Sequence, residues 1–587
     1  MSLEKVMDNF SLEEQELIRG FLFTRPHGKD SFVYPQPLVA GEELSPLMSA
    51  YSRTHIGMQT RVLQFLDSEK TGQTRAILPV IKIMMDVFRN PDGTLVVSRK
   101  TGNFNKRWTL AHGHASIKEG TNLFGYSEDI SDITLKRITG HPLNHPQVKS
   151  TRYLLYRKSL DLALGDEDLA ALPNSERFLQ HVGWMNQRYL EVSEQLEDLA
   201  FRHKDTKSVV DYLKQPAVIE MELQKRLNEE QRIDPEFIPD DSWLLKEREN
   251  ITKGLEDPAI RRDIGKFVLD YSRVYLLAVN RTSLGYSVDA RALEEIITEL
   301  ISSPRLEDQK RGYSLWEEAK KIAPVLLGEK SHIEVDQWRI KNEIELRNCL
   351  ADKFDQLNTE ERPERQVTMI TPRDIEMYTD RFNAALVIFQ YVNCSLQKIM
   401  RNISEDDIKE VLSKAHEHRG KYDNIHPAIS HGGLMFELTM AYHGYRDIFR
   451  HRRGSRTTQL LTTKLGFETP EILSVFGLDR EYREAMIKCK EIYDEAALVS
   501  PHIAEKLVPF GAVCRALHSW QPNQIAYIGR LRTDIEKGNL TYVFAIREMM
   551  AQVSRIMPET TKFFRCDNKI YPAHLWKKGY DWFDEEV

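Results

Sequence analysis

Along most of the chain apolar residues return every third or fourth position. This period predicts amphipathic helices over Ser175–Leu199, Phe267–Val279, Ile408–Arg419 and Arg480–Ala497. Shorter stretches with β-forming composition interrupt them. Val87–Arg89 and Leu95–Ser98 flank Asn-Pro-Asp-Gly, a strong turn signal, and predict a hairpin, while Leu434–Ala441 reads as a strand. Near mid-chain, Asn358–Gln366 surrounds one proline with polar or charged neighbours, the composition of a linker, and divides the chain into two comparable halves.

The halves resemble one another in order. In the first, Gly113-His114-Ala115-Ser116-Ile117-Lys118-Glu119 leads through the apolar Leu123–Thr134 to Ser150-Thr151-Arg152-Tyr153. In the second, His426–His431 leads through Leu434–Ala441 to Arg450-His451-Arg452-Arg453-Gly454-Ser455. Each then continues into long helices ending in an arginine-bearing one, with Asn280-Arg281-Thr282-Ser283-Leu284 up to Arg291 in the first half and Gln524–Arg532 in the second. Such internal repetition changes a fold assignment more than any single motif does.

With 587 residues there is ample length for several cores, and 41% hydrophobic with 29% charged residues describes a folded globular chain. Lys plus Arg total 81 against 88 Asp plus Glu, a net charge of −7, so an anionic ligand has to be met by a local basic cluster. The five cysteines, all in the second part of the chain at long spacings, provide neither a disulfide framework nor a four-cysteine zinc site. The N-terminal residues lack the apolar run of a secretory signal and no stretch approaches a membrane span, so a cytoplasmic protein without a membrane partner is expected.

The densest chemistry lies in Phe449–Arg456, where four arginines and a histidine share eight positions. Such a run reads as a solvated basic turn, as a nucleic-acid patch with salt-sensitive affinity, or as a phosphate site. Guanidinium forks beside an imidazole and a hydroxyl suit a phosphate-bearing ligand better than a duplex. The histidine pairs His112/His114, His141/His145 and His426/His431 raise a metal site as a rival, but no His-Glu-x-x-His or cysteine-rich spacing accompanies them, so none is expected. His141, His145 and His426 each precede proline, which favours extended or turn backbone.

Arg-His-Arg-x-x-Ser at Arg450–Ser455 and Gly-His-x-Ser-x-x-Glu at Gly113–Glu119 resemble the signature of flavin-dependent thymidylate synthases. That family's motif is Arg-His-Arg-x-x-Ser-x-Asn-x-x-Ser-x-Arg. The second-half copy opens in agreement but carries Thr457, Leu460 and Thr462 at the later positions. The first-half copy has Gly140, His141 and Pro142 at its opening and His145 for the first serine, yet ends correctly with Ser150 and Arg152. The upstream turn is complete at His114, Ser116 and Glu119, whereas the second half keeps His426 and has His431 for the Glu.

The resemblance implies an α+β fold of two tandem flavin-dependent thymidylate synthase-like domains, helix-rich with a small mixed sheet in each. A helical extension would cover 1–74, the first domain 75–325, a helical linker 326–369 and the second domain 370–587. The family is homotetrameric, so a homodimer of a duplicated chain would form a pseudo-tetramer, with complementary half-motifs completing one another. Carried over position by position, His114, Ser116, Glu119, Arg450, His451, Arg452 and Ser455 would contact FAD. Ser150, Arg152 and Arg450 would meet the nucleotide, and Arg532, with Arg291 as its first-half counterpart, would favour ionisation of the uracil ring. The implied reaction is reductive methylation of dUMP or a related uracil nucleotide at C5, with a folate one-carbon donor and NADPH as co-substrates. The alternative is a diverged, non-catalytic flavin- or nucleotide-binding protein. Each named residue also has a plainer reading, as a surface salt bridge, a helix cap or an exposed helix arginine.

Overall fold

The computed structural model describes residues 47–66, 89–111, 114–155, 157–202, 268–329, 331–353, 366–370, 379–420, 423–534 and 538–567, with shorter pieces at 11–13, 15, 20, 23–25, 28–33, 87, 223, 227, 239–240 and 242–247. The chain divides into two compact units. Unit one comprises Met1–Gln187, Leu277–Thr359 and Asp494–Leu507, and unit two Arg188–Leu276, Glu360–Tyr493 and Val508–Val587.

In unit one a four-stranded sheet runs β1 (Asp30–Val33), β2 (Asn122–Ser131), β4 (Arg281–Asp289), β3 (His145–Val148). Every neighbouring pair is antiparallel, which corrects the expected mixed sheet: β2 and β3 run the same way, but β4 lies between them, so no parallel pair forms. Asp30–Val33 falls in the segment expected as a helical extension, and supplies the edge strand. Helix α1 (Met58–Leu66) precedes β2. Helix α2 (Asp132–Gly140) follows it, capped by the Ser131 side chain accepting from Thr134 N–H at 3.3 Å. Helices α3 (Ala290–Ile301) and α4 (Leu306–Ile322) follow β4. In α3, Ala292, Leu293, Ile296, Ile297 and Leu300 recur on one stripe and join Leu123, Ile130, Leu284, Tyr286 and Val288 of the sheet in one core.

The opposite face of this sheet is covered too. Gln59 donates to the Tyr126 hydroxyl at 2.5 Å, Tyr51 to Glu128 at 2.9 Å, and a Cβ at Gly285 would run into the side chains of Met58 and Met48. The expected hairpin closes at Gly93 (φ +83°), although its pairing is a single bridge, Arg89 to Leu95.

Unit two repeats the sheet plan with β5 (Val367–Ile370), β6 (Leu434–Ala441), β8 (Val513–Trp520) and β7 (Ser455–Thr458), in that order and again wholly antiparallel. Helix α5 (Tyr442–Ile448) follows β6, and α6 (Pro522–Arg532) and α7 (Leu540–Ile556) follow β8. Strands β3 and β7 begin at His145 and Ser455, the two residues paired by comparing the half-motifs. Each unit closes the turn before its long central strand alike: Val279 N–H donates to Lys506 O (2.8 Å) in unit one and Gly511 N–H to Val274 O (3.0 Å) in unit two.

Phe436, Leu438, Met440, Ala516 and Trp520 bury one face of the unit-two sheet. Met435, Leu517 and Ile370 leave the other exposed. The helices predicted from periodicity appear as Ser175–Arg202, Glu405–His416 and Asp479–Val499. The one expected over Phe267–Val279 is described from residue 268 and stops at Ser272, where a 3-10 turn, Arg273–Tyr275, leads into β4. Of the expected linker, all but Gln366 lies outside the described residues.

Candidate functional site

The basic motif forms the connection between α5 and β7 in unit two. Gly454 makes its tight approach possible: it sits at φ +140°, and a Cβ there would clash with the carbonyl oxygen of Ser519. Arg456 fastens the other side of the loop. Its Nη1 donates to Phe449 O at 2.8 Å and its guanidinium stacks 3.7 Å from the Phe449 ring centre.

Within this frame His451 is buried. Arg532 Nε donates to its Nε2 at 3.0 Å, and because a guanidinium can only donate, Nε2 is the acceptor and the ring proton sits on Nδ1. Burial first, and the Arg532 charge second, pull the His451 pKa down to about 3, so the ring is neutral in ordinary buffers. Arg532 also donates through Nη2 to Asp447 O at 3.3 Å and lies 5.2 Å from the Tyr542 ring centre. Trp520 Nε1 donates to His451 O at 3.4 Å, and the Trp520 ring stacks on His518 at 4.4 Å. His518 Nε2 and the Tyr445 hydroxyl share a hydrogen bond of 3.0 Å, and burial, aided by Arg456, likewise lowers the His518 pKa to about 3.

The arginines differ in their surroundings. Arg450 is more than half exposed and reaches the buried carboxylate of Asp447 at 3.5 Å, which Arg273 also approaches at 3.6 Å. Arg452 is partly buried, has no acidic partner among the described residues, and burial lowers its pKa. A partly desolvated guanidinium without a carboxylate is a ready acceptor of an anionic group. Ser455 is exposed at the start of β7.

The first-half residues occupy unit one. His114 precedes the 3-10 helix Ala115–Gly120 and meets the Trp108 ring edge-on at 5.8 Å; Ser116 is exposed. Glu119 pairs with Arg291 at 2.6 Å, both side chains being more than 40% exposed. Ser150 Oγ accepts from Arg152 N–H at 3.2 Å, and the Arg152 side chain is half-buried.

Arg291 and Arg532, matched as counterparts by the resemblance, stand at different places on their helices. Arg291 stands in the first turn of α3 and Arg532 at the last residue of α6, opposite ends of the helices that follow β4 and β8. Eleven residues of helix separate such ends by roughly 15 Å. The corresponding end of α3 carries Leu300, buried in the core.

Sequence reasoning missed Asp447, Trp520 and His518, which lie outside the motif. The alternation of β8, placing Ala516, His518 and Trp520 on one face, was the available signal. It also missed a buried charge cluster in unit one. Lys506 Nζ lies 2.6 Å from Asp166, 2.6 Å from Asp168 and 2.8 Å from Glu307. These three carboxylates are a grouping with metal-ligand spacing among the described residues, and an ammonium fills it.

No family model matches the chain. A UPF0159 protein of Chlamydia muridarum is 24% identical over 302 residues, 51% of this chain and 57% of that protein. A second, of Chlamydia pneumoniae, is 24% identical over 306 residues with the same coverage, and a third, of Thermoplasma acidophilum, is 24% identical over 256 residues, 42% of this chain and 49% of that protein. The chain thus spans about half the length of the curated relatives it matches. Among solved structures, the UMP/dUMP methylase PolB from Streptomyces cacaoi, bound with 5-Br dUMP, aligns over 34% of this chain and 96% of that one, at 13% identity and a TM-score of 0.26. A likeness that distant does not define the fold.

Proposed function

We propose that the motif loop of unit two binds FAD and a pyrimidine nucleotide, and that the chain catalyses reductive methylation of a uracil nucleotide at C5. The observation that carries this reading is the Arg450–Ser455 loop itself. Its buried neutral His451 is oriented by Arg532, and beside it stands Arg452, whose charge no carboxylate among the described residues balances. When bound, reduced flavin would supply the hydride that completes the methyl group, with the carbon drawn from a folate donor and NADPH as reductant.

The residues have separable tasks. Arg452 would hold an anionic edge or phosphate of the cofactor, and His451 Nδ1–H would donate to a ring acceptor, since Nε2 is already occupied by Arg532. Arg450, exposed and tethered to Asp447, would reach the nucleotide. Arg532 uses Nε and Nη2 on the protein and retains Nη1 for a developing negative charge on the uracil. No cysteine nucleophile is required, and Cys489 and Cys514 of unit two are buried.

A second reading, a non-catalytic nucleotide- or flavin-binding protein, is favoured by one observation: Leu460 and Thr462 stand where the motif has its phosphate-binding serine and arginine. Growth of a thymidine-requiring strain separates the two. Rescue by this chain, abolished by Arg450→Ala, supports the enzyme; flavin binding without rescue supports the alternative.

A further inference from the structure

Unit one contains a cavity of about 690 Å³, within the size range of small-molecule sites. One stripe of α4 lines it, because Glu307, Lys310, Arg311 and Ser314 recur at three- and four-residue intervals and so share a helix face. Asp30 of β1, Arg281 of β4 and Asp161 of the helix Arg157–Ala163 line it as well. Strand β2 adds Asp129. There the register with β4 shifts and the backbone takes φ +56°, a conformation uncommon outside glycine. Arg311 fixes this bulge, its Nη2 donating to Glu128 O at 3.1 Å and to Asp129 O at 2.9 Å.

Most charges of the lining neutralise one another. Lys29 pairs with Asp129 at 3.2 Å and Arg311 with Asp30 at 2.7 Å. Lys310 likewise meets Glu167, and Arg281 meets Glu307. One cation and one carboxylate are left over: Arg25 and Asp161 line the cavity, are exposed, and have no ion partner among the described residues. A third group is only half satisfied. Asp30 is 2% exposed, its Oδ2 accepts from Arg311, and its Oδ1 has no hydrogen-bond donor among the described residues. A buried carboxylate oxygen without a donor is unfavourable for folding by itself, and at the wall of a cavity it calls for a donor brought by a ligand.

We infer that this cavity binds a small zwitterion, an amino acid or a short peptide, with its ammonium toward Asp30 and Asp161 and its carboxylate toward Arg25. The balance of charge selects this class. A phosphate or a polyamine would bring net charge that the paired lining does not offset, whereas a zwitterion brings one charge of each sign for the two left over. An ammonium carries three donors and can serve Asp30 Oδ1, while a guanidinium fork suits a carboxylate. No aromatic residue is among those lining the cavity, so a nucleobase has no ring there on which to stack.

The test is calorimetric titration of the full-length protein with each standard L-amino acid and with the dipeptide each forms with alanine, at fixed ionic strength so that screening is constant. Saturable binding of at least one is expected. N-acetylation, which removes the ammonium, should weaken it about tenfold or more, and so should Arg25→Gln and Asp161→Asn. Arg480→Gln, an exposed arginine of unit two paired to Glu484, should leave it within about twofold. Tighter binding of the free amino acid marks an amino-acid site, and tighter binding of the dipeptide a peptide site. Absence of saturable binding by all of them, undiminished binding after N-acetylation, or an affinity equal to wild type in Arg25→Gln or Asp161→Asn overturns the inference. Asp30→Asn loosens Arg311 and can unfold locally, so the two exposed residues decide. The readout involves neither flavin nor nucleotide, so failure of the flavin reading leaves it intact.

Discussion

Unit one neutralises its buried charges internally, whereas unit two leaves arginines without carboxylates. In unit one Lys506 sits among Asp166, Asp168 and Glu307, Arg281 reaches Asp166 and Glu307, and Arg305 reaches Asp308 and Glu505. In unit two Arg452 lacks an acidic partner among the described residues, and Arg419 is held by carbonyls. The sheets differ in the same sense. Met48, Tyr51 and Met58 seal the outer face of one, while Met435, Leu517 and Ile370 expose that of the other. One sheet plan thus carries a covered outer face in unit one and an open one in unit two.

The largest test of this contrast is Lys506→Met. It leaves three buried carboxylates around an apolar side chain, and loss of one partner from such a cluster costs about 3–5 kcal/mol. Chemical denaturation should show the loss; an unchanged midpoint would mean the cluster is not a scaffold. Acid probes the same cluster. Burial alone would raise the Glu307 pKa, but Lys506 and Arg281 overcome it and hold it well below the usual range. The folded value is depressed, so its stabilisation is present above about pH 4.5 and lost as pH falls toward the folded value.

Next come reciprocal changes on the two outer faces. Gly285→Leu drives a side chain into Met48 and Met58 and should cost about 1–3 kcal/mol, whereas Leu517→Gly, on the exposed face, should cost about 1 kcal/mol or less. Equal costs in thermal unfolding would contradict the distinction between covered and open faces.

A smaller effect is local. Arg532→Gln removes the charge that, after burial, holds down the His451 pKa, so the value should rise above about 3 in an NMR titration while remaining below that of a solvated histidine. In the wild type this depressed value means that stability declines as pH drops from about 6.5 toward 3. A value that does not move in Arg532→Gln would show that the hydrogen bond leaves the ring's protonation unaffected. Smallest is Arg291→Ala, which breaks an exposed pair with Glu119 and should change stability by less than about 0.5 kcal/mol. A loss as large as that of a buried pair would contradict the exposed character of this pairing.

The repeated order of elements and the motif loop were legible because both are local. The strand Leu434–Ala441 alternates, Gly454 precedes a strand that begins at Ser455, and His145 starts the matching strand. What escaped was non-local. Lys506 meets Asp166 across 340 residues of sequence, and nothing near either residue signals the other. The place of Arg291 on its helix was not legible either: an arginine can be counted along a sequence, but only the helix start decides whether it stands at the near or far end.

The central claim, that the motif loop of unit two is a flavin site, is tested most directly by titrating the purified full-length protein with FAD and following the visible flavin absorbance. Saturable binding is predicted for the wild type and for Arg291→Ala, with at least tenfold weaker binding in Arg452→Ala, which removes the partly buried cation that no carboxylate among the described residues balances. No FAD binding by the wild type, or undiminished binding by Arg452→Ala, would contradict it.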